Sequence, residues 1–135
     1  MATIDEMLSA ARDAMDKAYV PYSHFRVGAV IKAASGKIYA GCNVENASYP
    51  VGSCAEQSAI SAMIMGGDTL IKEIVVMGNG EHLVSPCGAC RQRIREFSTP
   101  QTKIHICDKN GVRKTVALSE LLPLSFGPEN LSDSK

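Results

Sequence analysis

The chain has 135 residues, 45% hydrophobic and 21% charged, the proportions of an ordinary single domain large enough to bury a core. Its 14 Lys and Arg equal its 14 Asp and Glu, which argues against a groove that tracks a phosphate backbone, and no apolar run approaches a membrane span. The opening residues Met1 to Glu6 carry acids where a secretory leader has a basic start and an apolar run, so a cytoplasmic protein with reduced cysteines is expected.

Thr3-Ile4-Asp5-Glu6 has the form of a capping box. Ile4, Leu8, Ala11, Met15 and Ala18 then recur at helical spacing, which predicts a helix ending near Tyr19, broken by Pro21. Residues Phe25 to Ala33 read as a strand, and Ser35-Gly36 turns the chain into a second strand from Lys37 to Val44, an antiparallel hairpin. A loop of small and turn residues runs to Ser53. A helix from Cys54 to about Met65 follows, stopped by Gly66-Gly67. Ile71 to Met77 is a nearly continuous apolar strand of the buried type. Pro86 opens a third helix from Cys87 to Phe97, since proline loses nothing in a first helical turn. Lys103 to Asp108 and Val112 to Ala117 read as two more strands, and Ser119 as the cap of a short helix through Leu122.

This order predicts an α/β domain, with helices on both faces of one mixed sheet. Residues 1–131 read as a single domain and 132–135 as a frayed tail. Cys42 and Cys107 fall in strand-like segments, where a free cysteine behaves as a small apolar group.

The chemistry concentrates in two stretches, Cys54-Ala55-Glu56 and Pro86-Cys87-Gly88-Ala89-Cys90. Both sit at predicted helix starts, where free N–H groups and the positive end of the dipole favour anions and hence thiolates. Cys54, Cys87 and Cys90 can supply three ligands to one zinc ion, leaving the fourth tetrahedral position open as a catalytic site requires. Glu56 projects nearby as a proton-transfer group. A structural zinc knuckle would need a fourth ligand from His82, Cys42 or Cys107, none of which shows a paired spacing, and it would leave Glu56 idle. A redox pair would ignore Cys54.

The pattern is the three-cysteine form of the zinc nucleobase deaminase signature. The chain resembles the tetrameric cytidine deaminases, the small bacterial and animal type. Beyond the two metal stretches and Arg91-Gln92, the resemblance rests on residues 19–25, residues 41–49, Ser85 before Pro86, and residues 121–131. It covers nearly the whole length in the right order.

The resemblance implies a three-layer α/β/α sandwich with a mixed five-stranded sheet, and one Zn²⁺ per chain on Cys54, Cys87 and Cys90. It implies hydrolysis of cytidine and 2′-deoxycytidine to the uridines and ammonia in pyrimidine salvage. Zinc-bound hydroxide would attack C4 while Glu56 shuttles the proton. Asn43 and Glu45 would hold the ribose, Phe25 would stack on the pyrimidine, and Ala55 would offer its N–H to the base. Ala47 to Tyr49 would reach the nucleoside across an interface, and Phe126 would close the pocket from a neighbour. A homotetramer with shared sites follows, acting on a small nucleoside and on neither nucleic acid nor membrane. From the residues alone, Phe25 and Phe126 read first as core aromatics, and Asn43 and Glu45 equally as solvated loop. A deaminase of aminonucleoside antibiotics of the blasticidin type is the nearest rival.

Two positions depart from the family pattern. Gln57 stands where many members carry an arginine that offsets thiolate charge. A glutamine beside the centre can donate to a sulfur but brings no positive charge, so the centre is expected to lean on the helix starts. Val44 stands where phenylalanine is frequent and is expected to face inward.

Overall fold

Helix α1 (Ile4–Lys17) starts at Thr3, whose Oγ1 accepts from the Glu6 N–H at 3.2 Å. The Thr3 hydroxyl also donates to the Glu6 carboxylate at 3.5 Å, so the box closes through its two side chains. The helix stops at Lys17, two residues before the expected end. The Arg26 guanidinium takes up the carbonyls of Met15, Asp16 and Ala18 at 3.2, 3.1 and 2.8 Å, a cationic cap on the negative end of the helix. The computed structural model describes residues 2–80 and 82–132. Met1 and residues 133–135 of the expected frayed tail lie outside them.

Five strands form one sheet: β1 (Val27–Ala33), β2 (Ile38–Cys42), β3 (Ile71–Gly78), β4 (Lys103–Asp108) and β5 (Gly111–Ala117), in the order β2-β1-β3-β4-β5. Only β3 and β4 run parallel, and the crossover they require carries helix α3 (Gly88–Glu96). Helix α2 (Ala55–Met65) links β2 to β3.

Side chains alternate across the strands, and both faces of the central strands β1, β3 and β4 are covered. Val27, Ala29 and Ile31 of β1, Ile74 and Val76 of β3, and Ile104 and Ile106 of β4 pack with Ala59 and Met63 of α2 and Ile94 of α3. Their neighbours Val30, Val75, Met77 and Cys107 face the other way and pack with Met7, Leu8, Ala11 and Met15 of α1. The three-layer sandwich with a mixed five-stranded sheet is the expected one, and burial on both faces explains the mostly apolar β1 and β3. Gly28 lets α1 lie directly on β1, since a Cβ there would meet the Ala11 carbonyl oxygen at 2.4 Å.

At one end of the α1 face the core turns polar. Lys32 Nζ lies 2.7 Å from Glu73 Oε2, Glu73 Oε1 lies 2.9 Å from His105 Nε2, and His105 Nδ1 lies 2.8 Å from Thr115 Oγ1. This ladder crosses β1, β3, β4 and β5.

Several element ends differ from expectation. β1 begins at Val27 and β2 ends at Cys42, because the flanking residues are held by the loops described below. Helix α4 (Leu118–Leu121) is capped from inside: Glu120 accepts from the Ala117 N–H at 2.9 Å, and Ser119 lies within the helix. A short helix α5 (Pro128–Ser132) closes the described chain and has no counterpart in the sequence expectations.

Candidate functional site

The site is assembled where three loops meet. Tyr19 brackets the segment after β2, donating its N–H to the Asn43 carbonyl at 3.0 Å and accepting from Glu45 N–H at 2.9 Å. On the other side, Val44 and Ser53 exchange both backbone hydrogen bonds, at 2.9 and 2.8 Å. This small ladder fixes Ser53 against residues 43–45 and so delivers Cys54 to the start of α2.

Cys54 and Cys87 are the cap residues of α2 and α3, both with extended backbone. Their carbonyls accept the first helical bonds, from Ser58 at 3.1 Å and Arg91 at 2.9 Å. Cys90 lies one turn into α3 and is buried. The two helices pack side by side on one sheet face, and the sulfurs of Cys54, Cys87 and Cys90 all lie within 4.8 Å of one another. Tetrahedral Zn²⁺ with bonds of about 2.3 Å needs sulfurs roughly 3.8 Å apart. The three soft donors fit that ion, and no fourth His, Cys, Asp or Glu joins the group among the described residues.

Arg91 fixes the approach to Cys87. Its guanidinium donates to the Pro86 carbonyl at 2.8 Å, to Ser85 Oγ at 3.2 Å and to the Leu121 carbonyl at 3.0 Å. One side chain thus pins the loop before the cysteine and the end of α4.

The thiols do not all ionise readily by virtue of their helix starts. Burial, then the nearby charges of Cys87 and Glu56, pushes the Cys54 thiol up. Burial, Glu56 and Cys54 do the same to Cys90. Cys87 alone is lowered: burial works against it, but donors led by the Cys90 backbone N–H outweigh that. Crowded thiols oppose one another's ionisation, and a dication among them reverses the sign.

Glu56 is 4% exposed, in the first turn of α2, and burial raises its carboxyl against the pull of its own N–H and of Arg93. Among the described residues the Gln57 side chain makes no hydrogen bond. The side-chain donor to sulfur from a cation is Arg93, whose Nη1 lies 3.5 Å from Cys90 Sγ.

Beside Cys54 opens a cavity of about 400 Å³, lined by Tyr22, Ser23, Asn43, Val44, Glu45 and Tyr49 among others. Val44 lines it and is 43% exposed, contrary to the expected inward packing, because its backbone ladder to Ser53 turns the side chain outward. Asn43 uses both ends of its amide at the start of β1: Oδ1 accepts from Val27 N–H at 2.9 Å and Nδ2 donates to the carbonyl of Phe25, two residues before the strand, at 2.8 Å. Glu45 Oε1 accepts from the N–H groups of Tyr22 and Ser23 at 3.0 and 3.1 Å, while Oε2 accepts from the Ser23 hydroxyl. These donors, led by that hydroxyl, hold the Glu45 carboxyl below its ordinary range.

Ala55 is buried at the first position of α2, between the metal ligand and Glu56. Ala47 lies in the bend before a 3-10 turn at Tyr49–Val51, and the Tyr49 ring sits 6.0 Å from that of Tyr22 at 73% exposure. Phe25 is not among the residues around the cavity. It follows His24, whose φ of 58° makes a sharp bend, and its ring lies over Gly78 and Gly80. Phe126 is 58% exposed, and its carbonyl accepts from Gln92 Nε2 at 3.0 Å, which ties the C-terminal segment to α3. It does not line this chain's own cavity. Sequence reasoning assigned no role to Tyr22, Ser23, Arg91 or Arg93. For Arg93 a signal was available, three residues past Cys90 on one helix face.

A family profile described as "Cytidine and deoxycytidylate deaminase zinc-binding region" matches residues 1–106. The cytidine deaminase of Sporosarcina psychrophila is 38% identical over 129 residues, 96% of this chain and 95% of that one. The cytidine deaminase of Mycobacterium tuberculosis is 40% identical over 122 residues, 90% of this chain and 87% of that one. Among solved structures, the Burkholderia pseudomallei cytidine deaminase superposes with a TM-score of 0.87 at 37% identity, over 93% of this chain and all of that one.

Proposed function

The chain belongs to the cytidine deaminase family, and we propose that it hydrolyses both cytidine and 2′-deoxycytidine, yielding the uridines and ammonia in pyrimidine salvage. It is an enzyme that deaminates cytidine and uses zinc. The observation that carries the reading is the juxtaposition of three cysteine sulfurs within 4.8 Å, a buried Glu56 beside them, and a nucleoside-sized cavity opening at Cys54.

Cys54, Cys87 and Cys90 hold the metal, which supplies a Lewis acid able to make water nucleophilic near neutral pH. Glu56 takes a proton from the attacking water and delivers it to N3 as the new C4–O bond forms. It then passes the second proton to the amino group, the C4–N bond breaks, and ammonia leaves. The buried, poorly solvated carboxyl suits this exchange because neither of its protonation states is strongly held by water. Ala55 presents its N–H to the base. Asn43 and Glu45 face the ribose, and their bonds to β1 and to residues 22–23 hold them rigid for that contact. Phe25 stacks on the pyrimidine once the cavity is filled.

The site is completed by neighbours in a homotetramer. This is supported by the apolar side chains left in water around the cavity and C-terminal segment, Tyr19, Tyr49, Val51, Leu124 and Phe126, each more than half exposed. Ala47 to Tyr49 and Phe126 reach into adjacent pockets. Light scattering at assay concentration should give four chains, and an active monomer would refute the shared site. A cytoplasmic location is part of this reading, since a reducing compartment keeps the three ligand cysteines available to the metal.

The deciding experiment measures ammonia release from cytidine, 2′-deoxycytidine, cytosine, blasticidin S and single-stranded DNA, with zinc content determined on the same sample. Turnover confined to the two nucleosides supports the proposal. Preference for blasticidin S would replace it with the antibiotic-deaminase reading.

A further inference from the structure

Three thiolates on one Zn²⁺ sum to a net negative charge, and excess sulfur charge weakens the ion as a Lewis acid. Helix α3 carries three arginines at alternating positions, and the structure gives each a different task. Arg91 is spent on the carbonyls of Pro86 and Leu121 and on Ser85. Arg95 turns to Ser125 and Glu129. Arg93 turns to the cysteines, with Nη1 donating to Cys90 Sγ at 3.5 Å.

The reach follows from helix geometry, because residues three apart stand one turn above each other. Arg93 makes no ion pair with an acid among the described residues, so its charge is not cancelled elsewhere. The side chain is half-buried, where a charge acts over a longer range than in water. Its field also reaches the Glu56 carboxyl. Gln57, the residue after Glu56, is neutral and makes no side-chain hydrogen bond among the described residues.

We propose that Arg93 is the positioning residue that offsets thiolate charge at this metal centre, supplying from α3 the cation that position 57 of α2 lacks. The inference rests on the zinc-deaminase reading and deepens it. A guanidinium donating to Cys90 Sγ makes a charge-assisted bond. It draws electron density from that sulfur, leaves the ion a stronger Lewis acid and stabilises the anionic metal-bound centre over the empty thiols. Cys90 is the ligand that most needs such a partner, being the buried one of the three.

The test compares Arg93→Gln, Arg93→Met, Arg93→Lys and the double variant Arg93→Gln with Gln57→Arg. Zinc affinity is measured by chelator competition, and the sulfur-to-metal charge-transfer band is recorded on the Co²⁺-substituted proteins. Removal of the charge should weaken zinc binding about 10–100-fold and move the band to longer wavelength, because the sulfur becomes more electron-rich. Arg93→Lys should recover much of both, and Gln57→Arg should restore them in the double variant. Arg93→Met keeps the apolar stem and supplies the charge-free comparison if Arg93→Gln does not fold. An unchanged affinity and band in the charge-free forms would overturn the proposal, as would a loss that Gln57→Arg fails to restore. Neither readout needs substrate, so a wild-type protein inactive on cytidine would overturn the functional reading and leave this one standing.

Discussion

The α-carbon of Gly41 lies against the backbone of Ala59: a Cβ at position 41 would sit 2.3 Å from the Ala59 nitrogen. The same atom would come within 2.6 Å of the Ala55 carbonyl oxygen. Helix α2 therefore rests on the bare backbone of β2, and that contact sets the height at which Cys54 and Glu56 stand over the sheet. Gly41→Ala should push α2 outward, costing about 1–3 kcal/mol by overpacking. Because the metal ligand and the shuttle ride on that helix, kcat should fall more than a loss of folded protein accounts for. Thermal melts alongside active-site titration by zinc content will check it, and an unchanged kcat per bound zinc would show that α2 had not moved.

Glu56→Gln should keep the volume and polarity of a side chain that is 4% exposed, and with them the fold and the bound zinc. It removes the ability to accept and return a proton, so turnover should fall by about 10²–10⁴-fold or more. Steady-state rates normalised to metal content provide the measurement. Substantial activity at full zinc occupancy would move the proton shuttle to another group.

Asn43→Ala should affect both stability and binding. It strips the acceptor from the N–H of Val27, a residue 9% exposed, and the donor from the Phe25 carbonyl. An unsatisfied buried backbone group costs about 1–3 kcal/mol. KM for cytidine should rise with it, since the amide also borders the cavity. Urea melts and initial rates separate the two effects.

The ladder on the α1 face should make stability sensitive to acid. Burial pushes the Glu73 carboxyl up, but hydrogen bonds and charges from Lys32 and His105 prevail and hold it lowered. A lowered carboxyl contributes stability that is present above its unfolded value, about 4.3, and is lost as pH falls through the folded value. Glu73→Gln should therefore lower stability at pH 7, and the gap from wild type should close as pH drops below about 4–5. It leaves Lys32, with 11% of its side chain exposed, without its anion. The loss should lie near the low end of the about 3–5 kcal/mol that breaking a buried pair costs, since the Glu73 side chain keeps 19% exposure. Denaturant melts at pH 7 and pH 3.5 decide it, and a gap independent of pH would show the pair contributes through packing alone.

The sequence by itself determined the order of elements through α4, the class of fold and the three cysteines that cluster. These are local or periodic signals. The largely apolar segment Ile71 to Met77 reads as a buried strand, and Cys54 and Cys87 sit at helix starts that their own flanking residues specify, with Cys90 one turn beyond. Tertiary structure alone decided what depends on residues far apart in the chain. The Val44–Ser53 ladder turned Val44 into the cavity, and the donors at residues 22–23 claimed both oxygens of Glu45. Phe25 settled over Gly78 and Gly80, and Lys32, Glu73 and His105 met across three strands. Arg93 could be seen in the sequence to share a helix face with Cys90. Only the packing of α2 against α3 made Cys90 part of a common centre with Cys54, where that charge acquires a use.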